Sequence, residues 1–416
     1  MSRPPLPGGP YLVVGLARSG QAAACMLREH GEVIGVDAGE PELELDTPGG
    51  TGGVEAHLGT DGVELLDRAA VVVKSPGVPR EAPVIAAALE RGVPVVGELE
   101  LAWRLLPNRF IAVTGTNGKT TTVELLGAIH RAADLPAAVA GNVGTPLSAL
   151  VGEVDPSATI VCEVSSFQLE DAEAFAPECA VLLNIEEDHI DRHGSVGAYR
   201  DAKLRIFANQ GPDDVAVAPA GIDIPGRAQR VSFGHEELGE LRLRGAHNVD
   251  NARAAAAAAR ATGVSADAIR EALRTFPGVP HRLEEVGTVN GVLYVNDSKA
   301  TNVSSAVRGI EAFEGGVHAI LGGSLKGGGF EGLRDAVSAR CRAAYLIGEA
   351  TERLAEDLHG TVPLRRCGDL ETAVRAATEA AEPGDVILLS PACASFDQYR
   401  DYEERGEHFR ELLPSA

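Results

Sequence analysis

Six consecutive residues, Gly115-Thr116-Asn117-Gly118-Lys119-Thr120, combine the residue types that bind nucleotide phosphates. Glycine lets the backbone approach phosphate oxygens closely, and the N–H groups at the start of a helix favour negative charge. Lys119 supplies a point charge for the terminal phosphates, and the Thr120 hydroxyl can bind Mg²⁺. An apolar run at 110–113 precedes the string and helical spacing follows it, which is the order of a phosphate-binding loop.

The loop is a shortened variant of the general phosphate-binding pattern. Val113 occupies the position, five residues before Gly118, where that pattern has a glycine. A glycine-rich turn without a ligand is therefore the alternative interpretation. The combination of strand, Gly-Lys-Thr and helix favours the phosphate site.

Three downstream residues can take part in chemistry on a phosphorylated group. Glu163 directly follows an apolar run at 159–162, and His189 lies among acidic residues near a predicted strand end, as metal-binding histidines often do. An ordinary loop histidine would have the same local sequence. Lys203 stands on a predicted helix near Arg205, a pattern that by itself is typical of a surface lysine.

The elements that position these residues alternate between strand and helix along the chain. Short apolar runs separated by helical segments indicate parallel sheets that are covered on both faces. The runs lie at 11–14, 33–36, 71–73, 93–96, 110–113, 159–162, 180–183, 292–295, 318–321, 343–347 and 386–389. Linker-like segments at 105–109 and 276–280 divide them. We therefore predict three tandem α/β domains, at residues 1–106, 107–277 and 278–416.

A second glycine-containing turn follows the first apolar run. Its sequence is Gly15-Leu16-Ala17-Arg18-Ser19-Gly20, and the next run ends at Asp37. This order resembles a dinucleotide-binding fingerprint, in which glycines approach a pyrophosphate and an acid binds a ribose. Because Ala17 replaces the middle glycine, a tight turn without a ligand is the alternative. Asn142, between two glycines, is equally open between a substrate contact and a turn residue.

Composition excludes several classes of function. The net charge of −23 argues against general binding to nucleic acid, which needs a basic face. The six cysteines form no C-x-x-C pair, which argues against a zinc site and indicates reduced, buried thiols in a cytoplasmic protein. No apolar stretch reaches the ~20 residues of a membrane span, and the N-terminus lacks the apolar core of a signal peptide.

The downstream strings together resemble those of the Mur ligases. They are EVSSFQLE at 163–170, NIEEDHIDRH at 184–193, YRDAKLRI at 199–206, GAHNVDN at 245–251, HRLE at 281–284, NDSKATN at 296–302 and SPACASFDQ at 390–398. The resemblance spans essentially the whole chain, and NDSKATN and SPACASFDQ are its most specific parts. It implies a Rossmann-like UDP-binding domain, a central P-loop ATPase-type domain and a Rossmann-like C-terminal domain that closes over the site.

The resemblance also implies an activity. It is that of an ATP-dependent amide ligase that adds D-glutamate to UDP-N-acetylmuramoyl-L-alanine through an acyl phosphate, in cytoplasmic peptidoglycan precursor synthesis. The expected enzyme is a monomer that acts on small molecules, with no nucleic-acid or membrane partner. The absence of a D-N-P-R string favours glutamate over a diamino acid. The alternatives are a sibling ligase for another amino acid, L-glutamate included, a folylpolyglutamate synthase, and a non-catalytic nucleotide-binding protein.

The nucleotide and metal site follows from the same resemblance. Thr120 and Glu163 would hold one Mg²⁺ between the β- and γ-phosphates of ATP, and His189 with a carbamylated Lys203 would hold a second. We predict that Glu163, His189 and Lys203 surround one metal-sized gap. The expected catalytic residues are Lys119, Glu163, His189 and Lys203. The expected ATP contacts are Gly115, Thr116, Asn117, Gly118, Lys119, Thr120, Thr121, Asn248, Asn251, Arg282 and Asp297.

Two further sets of residues bind the other substrates in this resemblance. Tyr402, in the second set, stands where the family has Phe. The UDP-linked substrate is expected to contact Gly15, Leu16, Ala17, Arg18, Ser19, Asp37, Ser75, Gly77, Asn142 and His189. The incoming D-glutamate is expected to contact Lys299, Thr301, Lys326, Ser395 and Tyr402.

Overall fold

The computed structural model describes residues 3–43, 54–234, 237–325 and 328–414. The chain divides into two compact units, one of Met1–Glu240 with Asp250–Arg274 and one of Leu241–Val249 with Thr275–Ala416. The first unit contains two sheets and the second contains one. Three sheets agree with the predicted three-domain α/β organisation, whereas the boundaries at residues 106 and 277 stay predictions.

The first sheet is built from the N-terminal residues and is fully parallel. Its elements are β1 (Tyr11–Val14), α1 (Arg18–Leu27), β2 (Val33–Asp37), β3 (Val54–Leu58), β4 (Val71–Lys74), α2 (Pro83–Glu90), β5 (Val95–Gly97) and α3 (Glu98–Leu105). The strand order is β3-β2-β1-β4-β5. Because the order reverses between β1 and β4, the loops after these two strands flank the crevice where parallel sheets bind ligands.

The second sheet also belongs to the first unit and is fully parallel. The chain from residue 110 to residue 275 forms β6 (Phe110–Thr114), α4 (Lys119–Ala132), β7 (Ala137–Gly141), β8 (Thr159–Glu163), α5 (Ser166–Glu170), β9 (Cys179–Leu182), α6 (Ile190–His193), α7 (Val196–Ala208), β10 (Val215–Pro219), β11 (Gln229–Phe233), α8 (Ala246–Ala261) and α9 (Ala266–Thr275). The strand order is β11-β10-β9-β6-β8-β7. The loops that follow β6, β8 and β9 therefore meet at one edge of the sheet.

The third sheet forms the second unit. Its elements are β12 (Glu284–Val289), β13 (Val292–Asn296), α10 (Val303–Glu311), β14 (Val317–Gly322), α11 (Arg334–Arg340), β15 (Cys341–Ile347), α12 (Thr351–Asp357), β16 (Leu364–Gly368), α13 (Leu370–Ala380), β17 (Val386–Leu389) and α14 (Tyr402–Glu411). The strand order is β12-β13-β17-β14-β15-β16. All neighbouring strands are parallel except β12 and β13, which are antiparallel. Short 3-10 helices occur in both units, at Val63–Arg68, Leu147–Leu150 and Glu331–Leu333.

Helix α3 joins the two sheets of the first unit through two buried carboxylates. Glu98 accepts a hydrogen bond from the Ser148 N–H at 2.7 Å, and burial raises the pKa of the Glu98 carboxyl. Glu100 accepts from the Phe175 N–H at 2.9 Å and forms an ion pair with Arg104 at 2.8 Å. Because Ser148 and Phe175 lie in segments that connect elements of the second sheet, the first in a short 3-10 helix, α3 is fixed to both sheets.

The predicted strands coincide with observed strands, with small shifts at their ends, as for 180–183, which is Cys179–Leu182. Strand β12 departs from the expected parallel pattern. It is an edge strand with several exposed residues, so it lacks the apolar run that marks the central strands. The six cysteines are free thiols, of which Cys162, Cys179 and Cys393 are buried. None of the described helices has the length and apolar composition of a membrane span.

Candidate functional site

The loop after β6 has the backbone geometry of a phosphate cradle. Gly118 has a φ of +86°, and a Cβ at this position would lie 2.1 Å from the Oδ1 of Asn251, so only glycine fits. Asn184, which follows β9, fixes the loop. Its Oδ1 accepts from the Asn117 N–H at 2.9 Å, and its Nδ2 donates to the Asn117 carbonyl at 3.1 Å. Asn184 has no role among the residues predicted from the sequence, although a polar residue just after an apolar run is a recognisable signal.

The other loop residues are held by their neighbours. The Thr116 hydroxyl accepts hydrogen bonds from the Glu186 N–H at 2.9 Å and from the Tyr199 hydroxyl at 3.1 Å. Lys119 Nζ donates to the carbonyls of Gly115 and Thr116, each at 2.9 Å. Thr120 and Thr121 are buried in the first turn of α4. The predicted phosphate contacts at 115–121 thus form one continuous segment, which consists of the loop after β6 and the first turn of α4.

Glu163 ends β8 and points its carboxylate at this turn. Its side chain is only 2% exposed, and its Oε2 accepts from the Thr120 hydroxyl at 2.8 Å. Its Oε1 accepts from the Asn142 amide at 3.1 Å, because β7 runs beside β8 and places Asn142 next to it. A buried carboxylate and a hydroxyl therefore face each other beside the phosphate loop.

Lys203 lies on α7 and is 1% exposed, so the surface-lysine interpretation is wrong. Its Nζ donates to the Gly115 carbonyl at 2.7 Å, which also accepts from Lys119. The Nζ also lies 4.5 Å from the centre of the Tyr199 ring. Burial, assisted by the positive charge of Lys119, lowers the pKa of Lys203 to about 7, against the opposite influence of nearby carboxylates. A large fraction of this amine is therefore neutral at physiological pH.

His189 is the exposed member of the predicted set. It precedes α6 with a φ of +53°, a backbone conformation uncommon outside glycine. Its ring centre lies 4.9 Å from that of Phe167 and 6.3 Å from that of Tyr199, and its Nε2 lies 3.5 Å from the Asp188 carboxylate. The ring of Tyr199 thus contacts both His189 and Lys203.

Mg²⁺ prefers oxygen ligands, and the residues beside the phosphate loop can be compared with that preference. In the described part of the chain, no three His, Cys, Asp or Glu side chains are grouped as a metal site. Mg²⁺ often takes only one or two protein oxygens and completes its shell with phosphate and water. The Thr120 hydroxyl and the Glu163 carboxylate, 2.8 Å apart, fit that requirement. The gathering of Glu163, His189 and Lys203 around one gap stays a prediction.

The predicted UDP contacts of the first sheet lie after β1, at the end of β2 and after β4, whereas Asn142 and His189 belong to the second-sheet part of the chain. The Asp37 carboxylate accepts from the Leu16 N–H at 2.6 Å, and the Ser75 hydroxyl donates to the Gly15 carbonyl at 2.7 Å. Arg18 lies near the second sheet, with its guanidinium 3.4 Å from the Gly144 carbonyl. Gly15, Ser19 and Asp37 are partly exposed. Five predicted contacts are exposed: Ala17, Arg18, Gly77, Asn142 and His189.

A buried ion pair anchors the loop after β4. Lys74 Nζ lies 2.8 Å from the Asp171 carboxylate, and the two side chains are 0% and 2% exposed. Lys74 also donates to the Val78 carbonyl at 3.0 Å, and so does Arg192. Arg80 approaches Asp171 at 3.2 Å from the exposed side. The pair joins residues 74–78 of the first sheet to the end of α5, between partners that are distant in the chain and share no local pattern.

In the second unit, Asp297 directly follows β13 and is buried. Its carboxylate accepts from the Ser390 hydroxyl at 2.7 Å and from the Leu283 N–H at 3.2 Å. Burial raises the pKa of Asp297 to about 7, opposed by Ser390 and the nearby Arg282. The Arg282 Nε has no hydrogen-bond partner within the described residues. An unsatisfied buried donor is consistent with a ligand contact at Arg282.

Of the residues predicted to bind D-glutamate, Lys299 and Thr301 lie on the loop after β13, Ser395 lies on the loop after β17, and Tyr402 begins α14. Lys299 Nζ lies 5.1 Å from the ring centre of Tyr402, Thr301 is partly exposed and Ser395 is buried. Lys326 lies outside the described residues. Asn248, near the start of α8, donates to the Arg244 carbonyl at 2.7 Å.

Three family models match consecutive parts of the chain. The Mur ligase MurD-like N-terminal domain matches residues 10–97, the Mur ligase middle domain matches residues 113–232, and the glutamate ligase domain of Mur ligases matches residues 281–393. Together they cover all three sheets.

Individual proteins extend these matches to nearly full length. The UDP-N-acetylmuramoylalanine–D-glutamate ligase of Acidobacterium capsulatum is 44% identical over 445 residues, covering 98% of this chain and 96% of the relative. The ligase of the same name from Pelotomaculum thermopropionicum is 41% identical, with 97% of each chain covered. The MurF ligase of Thermotoga maritima, solved in complex with ADP, has a TM-score of 0.63 at 18% identity over 96% of this chain and 97% of that chain. At this identity the likeness shows the fold alone.

Proposed function

The chain belongs to the Mur ligase family, and we propose that it is an ATP-dependent ligase that joins D-glutamate to UDP-N-acetylmuramoyl-L-alanine. The observation that carries the proposal is the near full-length match to D-glutamate ligases. The phosphate loop facing the Glu163 carboxylate supports the ATP-dependent part. We assign the reaction to cytoplasmic peptidoglycan precursor synthesis and to a monomeric enzyme.

The proposed reaction has two steps. A carboxylate oxygen of the muramoyl-alanine attacks the γ-phosphorus of ATP, the bond to the bridging oxygen of ADP breaks, and an acyl phosphate forms. The amine of D-glutamate attacks the acyl carbon and loses a proton, and inorganic phosphate leaves. Phosphoryl transfer of this kind asks the protein mainly for positioning and charge stabilisation.

The first unit can supply both the positioning and the charge stabilisation that this reaction needs. The N–H groups at the start of α4 and the Lys119 ammonium would bind the phosphates. Thr120 and Glu163 would hold one Mg²⁺, and His189 with Lys203 would hold a second. Bound Mg²⁺ neutralises the negative charge that the triphosphate and the substrate carboxylate share.

We propose further that Lys203 is carbamylated. The neutral amine attacks the carbon of CO₂ and releases a proton, which gives a carbamate with two oxygens. The burial of Lys203 and its closeness to Lys119 support this change, because a second ammonium at this point is unfavourable and an anion is not. A carbamate would also supply the oxygen ligands that Mg²⁺ prefers.

The other predicted residues keep their roles as proposals. Asn251 lies against the phosphate loop, and Asn142 lies against Glu163, in agreement with the nucleotide and substrate contacts assigned to them. Proposed ATP contacts beyond the loop are Asn248, Asn251, Arg282 and Asp297. The UDP-linked substrate would contact Gly15, Leu16, Ala17, Arg18, Ser19, Asp37, Ser75, Gly77, Asn142 and His189. D-Glutamate would contact Lys299, Thr301, Lys326, Ser395 and Tyr402.

The function is tested by phosphate release from ATP in the presence of UDP-N-acetylmuramoyl-L-alanine, Mg²⁺ and one amino acid at a time. We expect turnover with D-glutamate and background rates with L-glutamate, L-lysine and meso-diaminopimelate. Mass analysis of the product would identify the new amide. Turnover with L-glutamate in place of D-glutamate would assign the chain to a sibling activity, and no turnover with any of the four would refute the proposal.

Replacing Glu163 by glutamine is expected to raise the Mg²⁺ concentration for half-maximal activity by at least about 100-fold. Glutamine keeps the shape of the side chain and can still accept from Thr120, but it removes the negative charge. The measurement is a Mg²⁺ titration of phosphate release at saturating substrates. Glu153→Gln, at an exposed position, is the matched control. An unchanged Mg²⁺ requirement in Glu163→Gln would remove this residue from the metal site.

A further inference from the structure

Arg405, on α14 of the second unit, is one of the largest fully buried side chains of the described residues and is 1% exposed. Its guanidinium donates to the hydroxyl and the carbonyl of Ser298 at 3.0 and 2.9 Å. It also donates to the carbonyls of Cys393, Ala394 and Gly322 at 3.1, 3.3 and 3.4 Å. The five N–H groups of an arginine are thus all used.

The acceptors come from three different loops. Ser298 follows β13, Gly322 ends β14, and Cys393 with Ala394 follows β17. These strands are neighbours in the order β13-β17-β14 and run parallel, so their ends meet at one edge of the sheet. Arg405 therefore ties together the backbones of all three strand ends.

The residues proposed to bind D-glutamate lie close in sequence to the groups that accept hydrogen bonds from Arg405. Lys299 and Thr301 follow Ser298, and Ser395 follows Ala394. The Ser298 hydroxyl accepts from Arg405 and donates to the Tyr402 carbonyl at 2.8 Å, which connects a fourth proposed contact. A small shift of any strand end would thus move a residue that is proposed to bind the amino acid.

The positive charge of Arg405 is also unusual for a side chain that is fully buried. None of its five hydrogen-bond acceptors is charged, so carbonyl and hydroxyl dipoles stabilise the buried cation. Burial lowers the pKa of Arg405 to about 10, which leaves it protonated at pH 8. The nearby Asp397 carboxylate favours the charged form, and the protonated guanidinium contributes a positive potential to the loops around it.

We propose that Arg405 is a positioning residue for the incoming amino acid. It fixes three strand ends, and the loops that follow two of them present Lys299, Thr301 and Ser395. Its charge favours an anionic substrate there. The inference rests on the proposed function and deepens it. It predicts that loss of Arg405 affects the use of D-glutamate selectively. A residue with a merely structural role would lower stability and the yield of active enzyme without a selective change in one KM.

The test compares Arg405→Lys and Arg405→Met in the full-length enzyme. Lysine keeps the charge but has a single ammonium, which cannot reproduce the planar fork that reaches three loops. We expect the KM for D-glutamate to rise about 10-fold in Arg405→Lys and about 100-fold in Arg405→Met. The KM values for ATP and UDP-N-acetylmuramoyl-L-alanine are expected to stay within about two-fold of the unsubstituted enzyme. Arg410→Lys, at a partly exposed position of the same helix, is the matched control and keeps the positive charge beside Glu284.

Ser298→Ala keeps the test decisive if Arg405→Met does not fold. It removes one acceptor of Arg405 and the bond to Tyr402, and we expect the KM for D-glutamate to rise about three- to ten-fold. The inference is overturned if folded Arg405→Lys and Ser298→Ala keep the KM for D-glutamate, or if all three KM values rise together. If the unsubstituted enzyme does not use D-glutamate at all, the proposed function fails, and the inference fails with it.

Discussion

Replacing Lys203 by methionine is expected to lower kcat by about 1,000-fold, which corresponds to about 4 kcal/mol of transition-state stabilisation. Methionine fills the buried space but can neither bind Mg²⁺ through oxygen nor become an anion. The lost group lies beside the Gly115 carbonyl and Lys119, where the phosphates are proposed to react. The measurement is steady-state phosphate release at saturating substrates. Arg200→Met, at an exposed position of the same helix, is the control.

Carbamylation itself is tested by labelling with ¹³C-bicarbonate. We expect a carbamate carbon signal in the unsubstituted enzyme and none in Lys203→Met. Only the neutral amine reacts, and with a pKa of about 7 roughly a tenth of Lys203 is neutral at pH 6 and roughly nine tenths at pH 8. Labelling should therefore be faster at pH 8 than at pH 6. No signal in the unsubstituted enzyme at pH 8 would exclude the carbamate, and full activity of Lys203→Met would remove Lys203 from the metal site.

The second large effect concerns stability. Asp171→Leu is expected to lower the free energy of unfolding of the first unit by about 3–5 kcal/mol, because it leaves the Lys74 ammonium buried without a carboxylate. The single tryptophan, Trp103, is buried on α3 in the first unit, so its fluorescence during urea unfolding reports on this unit. The expected result is a lower urea midpoint with an unchanged slope.

The control for this prediction removes both charges. Lys74→Met combined with Asp171→Leu puts apolar groups in place of the pair, and such replacements are often neutral or stabilising. We expect most of the lost stability to return in the double variant. An exposed pair such as Arg91 and Asp67, 3.1 Å apart, should contribute less than about 1 kcal/mol when broken. If Asp171→Leu falls within that same range, the buried pair does not stabilise the first unit.

Local sequence was sufficient to predict the central strands and the phosphate loop. Tyr11–Val14 and Phe110–Thr114 are short apolar runs followed at once by glycine-containing turns, so pattern and burial agree. Strand β12 lacked this signal. Two of its six residues are exposed, three are partly buried and one is buried, and its place at the sheet edge depends on pairing with β13 rather than on its own composition.

The site was only partly accessible to sequence reasoning. Lys203 looks like a surface residue on pattern alone, and its burial arises because α7 places it against the Gly115 carbonyl 88 residues earlier in the chain. The family resemblance, rather than composition, singled it out. Asp171 and Arg405 carried no motif of their own, and Asn184 only opens one of the family strings. The importance of all three comes from hydrogen bonds and ion pairs to distant loops. Contacts of this kind depend on the fold and cannot be inferred from spacing.

The carboxylates of α3 have a mechanical consequence. With Glu98 and Glu100 bonded to loops of the second sheet, and Lys74 paired with Asp171, the two sheets of the first unit are held at a fixed spacing. We expect the distance between the crevice after β1 and the phosphate loop to stay constant during turnover. The first unit would then be selective for the length of its substrate. A precursor already extended by one amino acid would carry its reacting carboxylate past the phosphate loop. The fixed spacing of the two sheets would therefore select precursors that carry a single amino acid.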